Sequence, residues 1–473
     1  MKTLRVIIAV LLAEVGFAQT IPNLFPYPNA SGVLKTMNVN GTALDISDAF
    51  FQSIGSNGRS CATYHQAAQG FSISAQEVKA RFEATHGLNP IFRTVDGSNC
   101  DHNIDTSSED KRRQAYSLLI QRGVIRVAVA VPSAAEFKVV SVANPYGCGD
   151  TATLSMYRRP LPSTNLSFLS TLMWDGRESS AQTGTKKITF PVNAGDPSSL
   201  SLLLFNLRHQ AVDATTGHAQ GAVPTAAQVD DIVNFEMQLL TAQARDYKAG
   251  SLRAEAAMGG PRALMNQLSA FFVGINDPIG MGPAGEPPFT SSIFNLYTAW
   301  AGLYPQHHEQ NQDHHRAQIA RGEAIFNTKP INITNVAGLN DDLNLPVIHG
   351  FCGTCHDSPN VGNHSVSAPL NIGVGDLDSP LDVSYLPVMT LENIATGEIK
   401  LTTDPGRALI TGKWVDVGRL KGPILRGLAA RAPYFHNGSA ETLDDVLEFY
   451  NKRFNVGLTP QEKDDLIAFL RTL

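Results

Sequence analysis

Apolar residues recur at helical spacing in several segments of the chain. The clearest of these segments are "SAQEVKARFEATHG", "DKRRQAYSLLIQRG", "VDDIVNFEMQLLTAQARDY", "HRAQIARGEAIFNT", "SAETLDDVLEFYNKRF" and "TPQEKDDLIAFLRTL". This spacing predicts amphipathic helices. In the last segment Thr459, Pro460 and Glu462 provide an N-cap, a first-turn proline and a capping-box glutamate, which together set where that helix starts. A shorter helix is predicted over "DAFFQSIG", just ahead of Cys61.

The stretch between residues 89 and 162 has a different pattern. "VIRVAVAV" and "EFKVVSVA" are rich in β-branched residues or alternate apolar with polar ones, as paired strands do. We therefore predict a mixed α/β insertion within an otherwise helical first unit. The chain as a whole is predicted to be mainly α, with a first unit over residues 19–300, which contains the insertion at about 89–162, and a second over residues 301–473.

Composition and the amino terminus set broad limits. A chain of 473 residues with 43% hydrophobic residues can form about two or three domains with substantial cores, and its formal net charge of −6 lacks the basic excess of a nucleic-acid-binding protein.

Lys2 and Arg5 precede an apolar run that ends in small residues, which predicts a signal peptide over residues 1–18. Glu14 interrupts the run, so an uncleaved anchor is the alternative, although the run is short for a membrane span. We expect a periplasmic or secreted protein with no nucleic-acid partner and no membrane attachment after cleavage.

The segment "FCGTCH" at residues 351–356 is a complete attachment motif for haem c. Cys352 and Cys355 can add to the two vinyl groups of one porphyrin, and the adjacent His356 can bind the iron as its proximal ligand. A zinc knuckle or a redox pair is the alternative. It would need a second ligand pair or a thioredoxin-like context, and neither is visible in the sequence.

Residues 60–71, "SCATYHQAAQGF", repeat that motif with one change. Tyr64 takes the place of the second cysteine, while Cys61 and His65 are kept. One thioether bond through Cys61 and axial ligation by His65 remain chemically feasible, so we predict a second haem c here. A vestigial site that holds no haem is the alternative.

Two further features bear on metals and redox state. Cys100 and Cys148 are left over and are predicted to form a disulfide in an oxidising compartment, with two unrelated thiols as the alternative. A polar segment carries four clustered histidines: His307, His308, His314 and His315. That composition is more typical of a solvated linker than of a metal site.

Blocks spread over most of the chain resemble the bacterial dihaem cytochrome c peroxidase family, which includes the MauG-type enzymes that oxidise a protein substrate. The blocks are "SCATYHQAAQGF", "MWDGRESS", "VNFEMQLLTA", "RGEAIFN", "FCGTCH", "DPGRALITG", "LKGPILRGLAARAPYFHNGSAETLDDVLEFYN" and "LTPQEKDDLIAFLRTL". The insertion lies outside the match. The resemblance implies two cytochrome c-like helical domains, each enclosing one haem c, with electron exchange across their interface.

The same resemblance implies roles for two aromatic residues. Trp174 in "MWDGR" matches the tryptophan between the two haems, and an aromatic core residue is the alternative. Tyr450 matches the distal ligand of the second haem, which is methionine in the peroxidases and tyrosine in MauG-type enzymes. Val446, Tyr450 and Phe454 follow an i, i+4, i+8 spacing that turns Tyr450 to the buried face of its helix, so a core tyrosine fits equally well. A phenolate ligand would favour the ferric and higher states of the iron.

One departure from the family concerns proton transfer. Family peroxidases carry a glutamate near the first haem, a short distance after a Gln-Ala pair, where it acts as general acid and base. Here the pair is Gln210 and Ala211, and counting places Gln220 at the glutamate position, with His218 two residues away. Glutamine cannot transfer the proton. His218 can transfer it or can ligate the iron, and an ordinary loop histidine is the alternative.

The family also binds a calcium ion between its domains, partly through backbone carbonyls. Arg431 and Pro433 in "ARAPYF" match the carbonyl positions, while Arg158 and Arg159 occupy the neighbourhood of the side-chain ligand. The resemblance therefore implies a calcium site without a clear side-chain ligand.

Taken together, the motifs and the resemblance predict a haem-dependent oxidoreductase. Electrons from a small redox-protein partner would enter at the haem of His356, pass Trp174, and reduce peroxide or a related oxidant at the haem of His65. One alternative is oxidation of an organic or protein substrate, as MauG-type and rubber-cleaving dihaem relatives perform. The other is a non-enzymatic electron carrier in which His218 closes the first site.

Overall fold

The computed structural model describes residues 20–179, 197–278, 280, 287–303 and 312–473. The predicted signal peptide lies outside these residues, as do His307 and His308. None of the helices formed by the described residues is long and apolar enough to cross a bilayer.

Twelve α-helices occur in the described ranges, and most of them are short. They are α1 (Cys61–Tyr64), α2 (Ala75–Thr85), α3 (Glu109–Ala115), α4 (Ser117–Arg122), α5 (Pro197–Thr216), α6 (Ala226–Met237), α7 (Pro261–Leu268), α8 (Gln312–Thr328), α9 (Asn340–Leu343), α10 (Ala408–Thr411), α11 (Leu443–Phe454) and α12 (Pro460–Leu470).

The same ranges contain thirteen strands. They are β1 (Thr20–Ile21), β2 (Pro26–Pro28), β3 (Gly32–Asn38), β4 (Leu44–Asp45), β5 (Ile125–Ala130), β6 (Phe137–Ala143), β7 (Thr153–Arg158), β8 (Leu239–Asp246), β9 (Gly250–Ser251), β10 (Ile331–Ile333), β11 (Ile348–Gly350), β12 (Val388–Asn393) and β13 (Ile399–Thr402). Their sheets have the orders β1-β4, β2-β3-β8-β9, β5-β7, β13-β12-β6 and β10-β11. All of the strand pairs are antiparallel.

Most of the longer predicted helices are confirmed. Helix α2 begins after Ser74, whose side chain accepts a hydrogen bond from the backbone of Glu77. Helix α12 has the predicted cap, with the Thr459 side chain bonded to the Glu462 backbone and Pro460 in the first turn. The short helix predicted over "DAFFQSIG" is wrong, because that segment forms turns instead.

The mainly α prediction is corrected to a mixed α/β fold. The segment "VDDIVNFEMQLLTAQARDY" was predicted as one helix, but α6 ends at Met237 and Leu239–Asp246 is strand β8. Strand β8 pairs with β3 and β9, and Thr241 Oγ1 lies 2.8 Å from the hydroxyls of both Thr36 and Thr164. These partners lie far away in sequence, and strand formation depends on such partners more than on local propensity.

The insertion is mixed α/β, as predicted, but its strands do not all pair with one another. β5 pairs with β7, whereas β6 pairs with β12 in the second half of the chain. The apolar cluster behind β6 and β12 combines residues of both halves: Phe137, Leu154, Met156, Met389, Leu391 and Trp414. The insertion therefore joins the two halves of the molecule.

Two larger apolar cores flank the candidate sites. One contains Phe50, Phe71, Phe168 and Phe235 from the first half. The other contains Phe326 and Phe469 from the second half together with Phe294, Tyr297 and Trp300, so the segment just before residue 301 packs on the second half.

Candidate functional site

Two apolar cavities occur in the described part of the chain, one beside each cysteine motif. The first cavity has a volume of about 180 Å³ and is lined by Cys61, His65 and His218, among others. The second cavity has a volume of about 250 Å³, and its lining includes Cys352, Cys355, His356 and Tyr450. The structure thus brings each candidate iron ligand next to its candidate thioether cysteine.

His65 and His356 share one backbone contact, and His65 Nδ1 also lies 3.0 Å from the Ser163 hydroxyl. His65 Nδ1 lies 3.0 Å from the Phe71 carbonyl, and His356 Nδ1 lies 2.7 Å from the Gly362 carbonyl, which in both cases is six residues further on. A carbonyl only accepts, so Nδ1 carries the proton and Nε2 keeps the lone pair that a metal needs. Burial lowers the pKa of both rings, that of His65 to about 4, which keeps them neutral.

Tyr64 is a buried structural residue. Its hydroxyl donates to Asp96 at 3.1 Å and lies 3.3 Å from the Ile91 carbonyl oxygen, and the Arg59 guanidinium lies 5.2 Å from its ring centroid. The tyrosine that replaces the second cysteine therefore fastens the first motif to the insertion.

Asp96 also holds His218. Its Oδ2 atom lies 2.6 Å from His218 Nδ1, and its Oδ1 atom accepts from Arg59 at 2.5 Å. Burial raises the pKa of Asp96, but the hydrogen bond and charge of His218 and the charge of Arg59 outweigh this and hold the pKa below its usual value. His218 thus lines the first cavity against a buried carboxylate. Nothing in the spacing of the sequence connects Asp96 with it.

Gln220 has a different position. Its backbone is left-handed, with a φ of 52°, and its side-chain carbonyl accepts from Asn57 at 3.2 Å. It is absent from the lining of both cavities as described here, whereas Gln210 and Ala211 line the first one.

Trp174 lies in the wall between the cavities. The residues that line both are Arg159, Pro160, Leu161, Pro162, Trp174 and Lys421. The Trp174 indole donates to the Arg159 carbonyl at 2.7 Å and meets His436 edge to face, with ring centroids 6.2 Å apart. The indole is therefore fixed in orientation where it can contact the contents of both cavities.

Tyr450 points into the second cavity from α11, together with Val446 and Phe454, as the helical spacing predicts. Its ring stacks on Phe454 with a centroid distance of 6.3 Å. Burial raises the pKa of the Tyr450 phenol above its ordinary value, so without a metal it stays protonated.

Two cavity residues were missed by the sequence analysis. Glu236 lines the first cavity, burial raises its pKa to about 8, and its Oε2 atom has no hydrogen-bond partner within the described residues. His436 lines the second cavity, and burial lowers its pKa to about 4. Both residues lie in segments that carry the family resemblance, Glu236 in "VNFEMQLLTA" and His436 in "LKGPILRGLAARAPYFHNGSAETLDDVLEFYN", so each segment was a usable signal.

Buried cations make the cavities suitable for haem. Lys421 donates to the Thr171 carbonyl at 2.8 Å, and burial, with a smaller contribution from Arg431, lowers its pKa to about 7. Arg431 lines the second cavity, and its Nε atom lacks a hydrogen-bond partner in the part of the chain described here. Buried charges need opposite charges, which the carboxylates of a haem would supply. The residues present therefore fit haem c at both cavities.

The remaining candidates for metal or disulfide chemistry lie elsewhere. Cys100 and Cys148 form a disulfide with a Cα–Cα distance of 5.7 Å. The groups of three or more candidate ligands found in the described ranges include neither His314 nor His315. The Arg431 carbonyl, one of the two implied calcium ligands, accepts from the Arg159 guanidinium at 2.8 Å, so these residues do not fit a calcium ion.

A buried ion network crosses from the insertion to the second half beside Trp174. Arg158 bonds Asp404 through two nitrogens, at 2.7 and 2.8 Å, and Asp175 through the third, at 2.5 Å. Asp175 also accepts from Arg177 at 3.1 Å. The "DGR" that follows Trp174 is thus part of the junction between the halves.

Known proteins resemble parts of this chain. A family model described as RoxA-like, cytochrome c-like, matches residues 420–456. The cytochrome-c peroxidase IdrP2 of Denitromonas iodatirespirans is 33% identical over 135 residues, which are 26% of this chain and 36% of that protein. The cytochrome c551 peroxidase of Nitrosomonas europaea is 30% identical over 211 residues, which are 41% of this chain and 56% of that protein. The chain thus spans from about a third to just over half of the length of these curated relatives.

Among solved structures, a MauG-like protein associated with microbial copper homeostasis aligns over 90% of this chain and 87% of its own length. The identity is 15% and the TM-score is 0.35.

Proposed function

We propose that this chain, a divergent relative of the bacterial cytochrome c peroxidases, is an exported dihaem oxidoreductase that reduces peroxide or a related oxidant with electrons from a small redox protein. One observation carries the proposal. Two cavities, each beside a histidine tethered through Nδ1 to a carbonyl six residues on, share a wall that contains Trp174.

Each half of the chain provides its own attachment residues. His65 and His356 would bind iron through Nε2, with one thioether from Cys61 in the first half and two from Cys352 and Cys355 in the second. When bound, haem c supplies one-electron redox chemistry. Lys421 and Arg431 provide buried positive charge for its carboxylates.

His218 is the candidate proton carrier for peroxide reduction. That reaction needs a group that takes a proton from one peroxide oxygen and delivers it to the other. Asp96 lies 2.6 Å from His218 Nδ1, so it orients the ring in the first cavity. Trp174, fixed by its bond to the Arg159 carbonyl, provides a rigid aromatic side chain between the two cavities.

Haem stoichiometry tests the proposal first. The exported protein is purified, its haem content is measured by pyridine haemochrome absorbance, and the haem-bearing peptides are identified by mass. We expect two haems per chain, with one on a peptide that contains Cys61. Cys61→Ala should then release one haem into acidified acetone, while the haem on Cys352 and Cys355 stays attached.

The resting spectrum and turnover test the enzyme. A high-spin, five-coordinate ferric signal and peroxide-dependent oxidation of a reduced small cytochrome are the expected results. A single haem, found only on the "FCGTCH" peptide, contradicts the proposal. So does purely low-spin iron with no turnover, and that outcome would favour an electron carrier in which His218 ligates iron.

A second candidate function is oxidation of an organic or protein substrate, and Tyr450 favours it. A phenol that lines the second cavity beside Cys352 and Cys355 suits a site that stores oxidising equivalents. In that case peroxide should produce an absorbance change that persists without an electron donor. Tyr450→Met should shorten the lifetime of this absorbance change. The control substitution Tyr247→Met, at an exposed tyrosine, should leave the lifetime unchanged.

A further inference from the structure

The Arg159 side chain is almost completely buried, and among the described residues it bonds only to backbone carbonyls. Its guanidinium donates to the carbonyls of Arg122 at 3.2 Å, Gly123 at 3.1 Å and Arg431 at 2.8 Å, and also to that of Ile73. These carbonyls come from three segments that are far apart in sequence: the residues before α2, the end of α4 with the glycine that follows it, and the second half of the chain. One cation thus holds three parts of the molecule together.

The backbone of Arg159 extends the same junction. Its N–H donates to the His436 carbonyl at 2.6 Å, and its carbonyl accepts from the Trp174 indole at 2.7 Å. Arg159 therefore connects the contacts between the two halves of the chain directly to Trp174, which lies in the wall between the two cavities.

We propose that the Arg159 guanidinium takes the place of the calcium ion that the family resemblance implies, so that this protein joins its two halves without a metal. A ring of backbone carbonyls from separate segments is a typical cation site, and here an internal cation fills it. Calcium takes six to eight oxygen ligands, usually with carboxylates among them. The partners of the Arg159 guanidinium within the described residues are carbonyls alone.

The charge and the space around Arg159 also favour the guanidinium over a calcium ion. Burial lowers the pKa of Arg159 to about 9, and the charge of the nearby Arg431 contributes to this shift. With this pKa the guanidinium stays protonated at neutral pH. A divalent ion would add charge beside these two buried arginines. Gly123 has a φ of 59°, and a Cβ there would come within 2.0 Å of Arg159 Nη1, so the turn leaves room for the guanidinium.

Calcium titration of the wild-type holoprotein tests the proposal without any variant. Protein passed over chelating resin is titrated with calcium chloride in a calorimeter. The calcium concentration reaches about 1 mM, which is the dissociation constant of the weakest extracellular calcium sites. The urea midpoint and the absorption spectrum are compared in excess calcium and in excess EGTA. We expect no saturable heat and no shift in either measurement. One calcium bound per chain, or a midpoint that falls in EGTA, overturns the proposal.

Variants test the role of the guanidinium. Arg159→Met keeps most of the aliphatic bulk but leaves buried carbonyls unpaired, so the folding equilibrium constant should fall at least about 100-fold. The matched control is Arg453→Met, since the Arg453 guanidinium likewise donates to backbone carbonyls, three of them, but is only half-buried.

Hydrogen exchange locates the effect of these variants. The Ala75 amide donates to the Ala432 carbonyl at 3.2 Å, next to the Arg159 contacts, so its peptide reports on the junction. Exchange there should accelerate in Arg159→Met and stay unchanged in Arg453→Met. Equal exchange in the two variants overturns the proposed role, and if Arg159→Met does not fold, the calcium titration still decides.

Discussion

His218 is the candidate proton carrier of the proposed mechanism, so peroxide turnover should depend on its side chain. We expect His218→Gln to lower kcat/KM for peroxide by about 100-fold, because an amide of similar size can bond Asp96 but cannot transfer a proton. The measurement is steady-state peroxide consumption with a reduced small cytochrome as electron donor.

His209 provides the matched control for that substitution. It too pairs with a carboxylate, Glu178 at 2.6 Å, but its side chain is 56% exposed and lies outside the two cavities described above. His209→Gln should therefore retain wild-type turnover. Equal activity in the two variants would rule out His218 as the proton carrier.

For single residues, whether a functional contact could be predicted depends on how far apart the two partners lie in the sequence. Cys61, His65, Cys352, Cys355 and His356 belong to short motifs whose geometry is local, and each was placed beside a cavity. The partners that orient functional side chains come from far away. Asp96 reaches His218 across 122 positions, and nothing in the composition of the insertion marks it as a partner of that histidine.

The pairing of β6 with β12 attaches the insertion to the second half of the protein. Phe137, the first residue of β6, is 2% exposed and packs in the cluster that contains Met389 and Leu391. Phe137→Ala should lower the free energy of unfolding by about 3–5 kcal/mol, because it leaves a cavity between the halves. Urea unfolding followed by far-UV circular dichroism measures this loss.

Phe25→Ala is the matched control, since Phe25 is 43% exposed. Its free energy of unfolding should stay within about 0.5 kcal/mol of the wild-type value. If both variants lost the same small amount, β6 would not be a structural strand of the sheet that contains β12.

Helices with local start signals were predictable, and strands with distant partners were not. Helix α12 begins where Thr459, Pro460 and Glu462 predict, since all of its capping contacts lie within one turn. The segment Leu239–Asp246 has helical spacing in isolation, yet pairing with β3, about 200 residues earlier, makes it a strand.

At the scale of the whole molecule, Arg158 is a buried cation shared by two carboxylates. Its side chain is 4% exposed, and those of Asp175 and Asp404 are 0% and 3% exposed. The two halves of the chain are thus joined by charge at Arg158 and by carbonyl contacts at the neighbouring Arg159. Removing one partner of such a buried group is costly, because the remaining charge has no solvent to compensate it.

Asp404→Asn tests this charged junction. It should reduce the free energy of unfolding by about 3–5 kcal/mol near neutral pH. Burial raises the pKa of Asp404, but the charge of Arg158 outweighs it and holds the pKa below the ordinary carboxyl value. The unfolded chain therefore takes up this proton first as the pH falls, and the stabilisation is complete above about pH 4 and lost below it.

The difference between wild type and Asp404→Asn should accordingly stay constant from about pH 5 to pH 7 and shrink as the pH falls below about 4. Urea midpoints measured across this range check the prediction. Asp230→Asn is the control, because Asp230 pairs with Arg208 at 2.9 Å on the exposed surface, where an ion pair contributes little. A wild-type advantage over Asp404→Asn that persisted undiminished in acid would mean that packing, and not the charge of Asp404, holds the halves together.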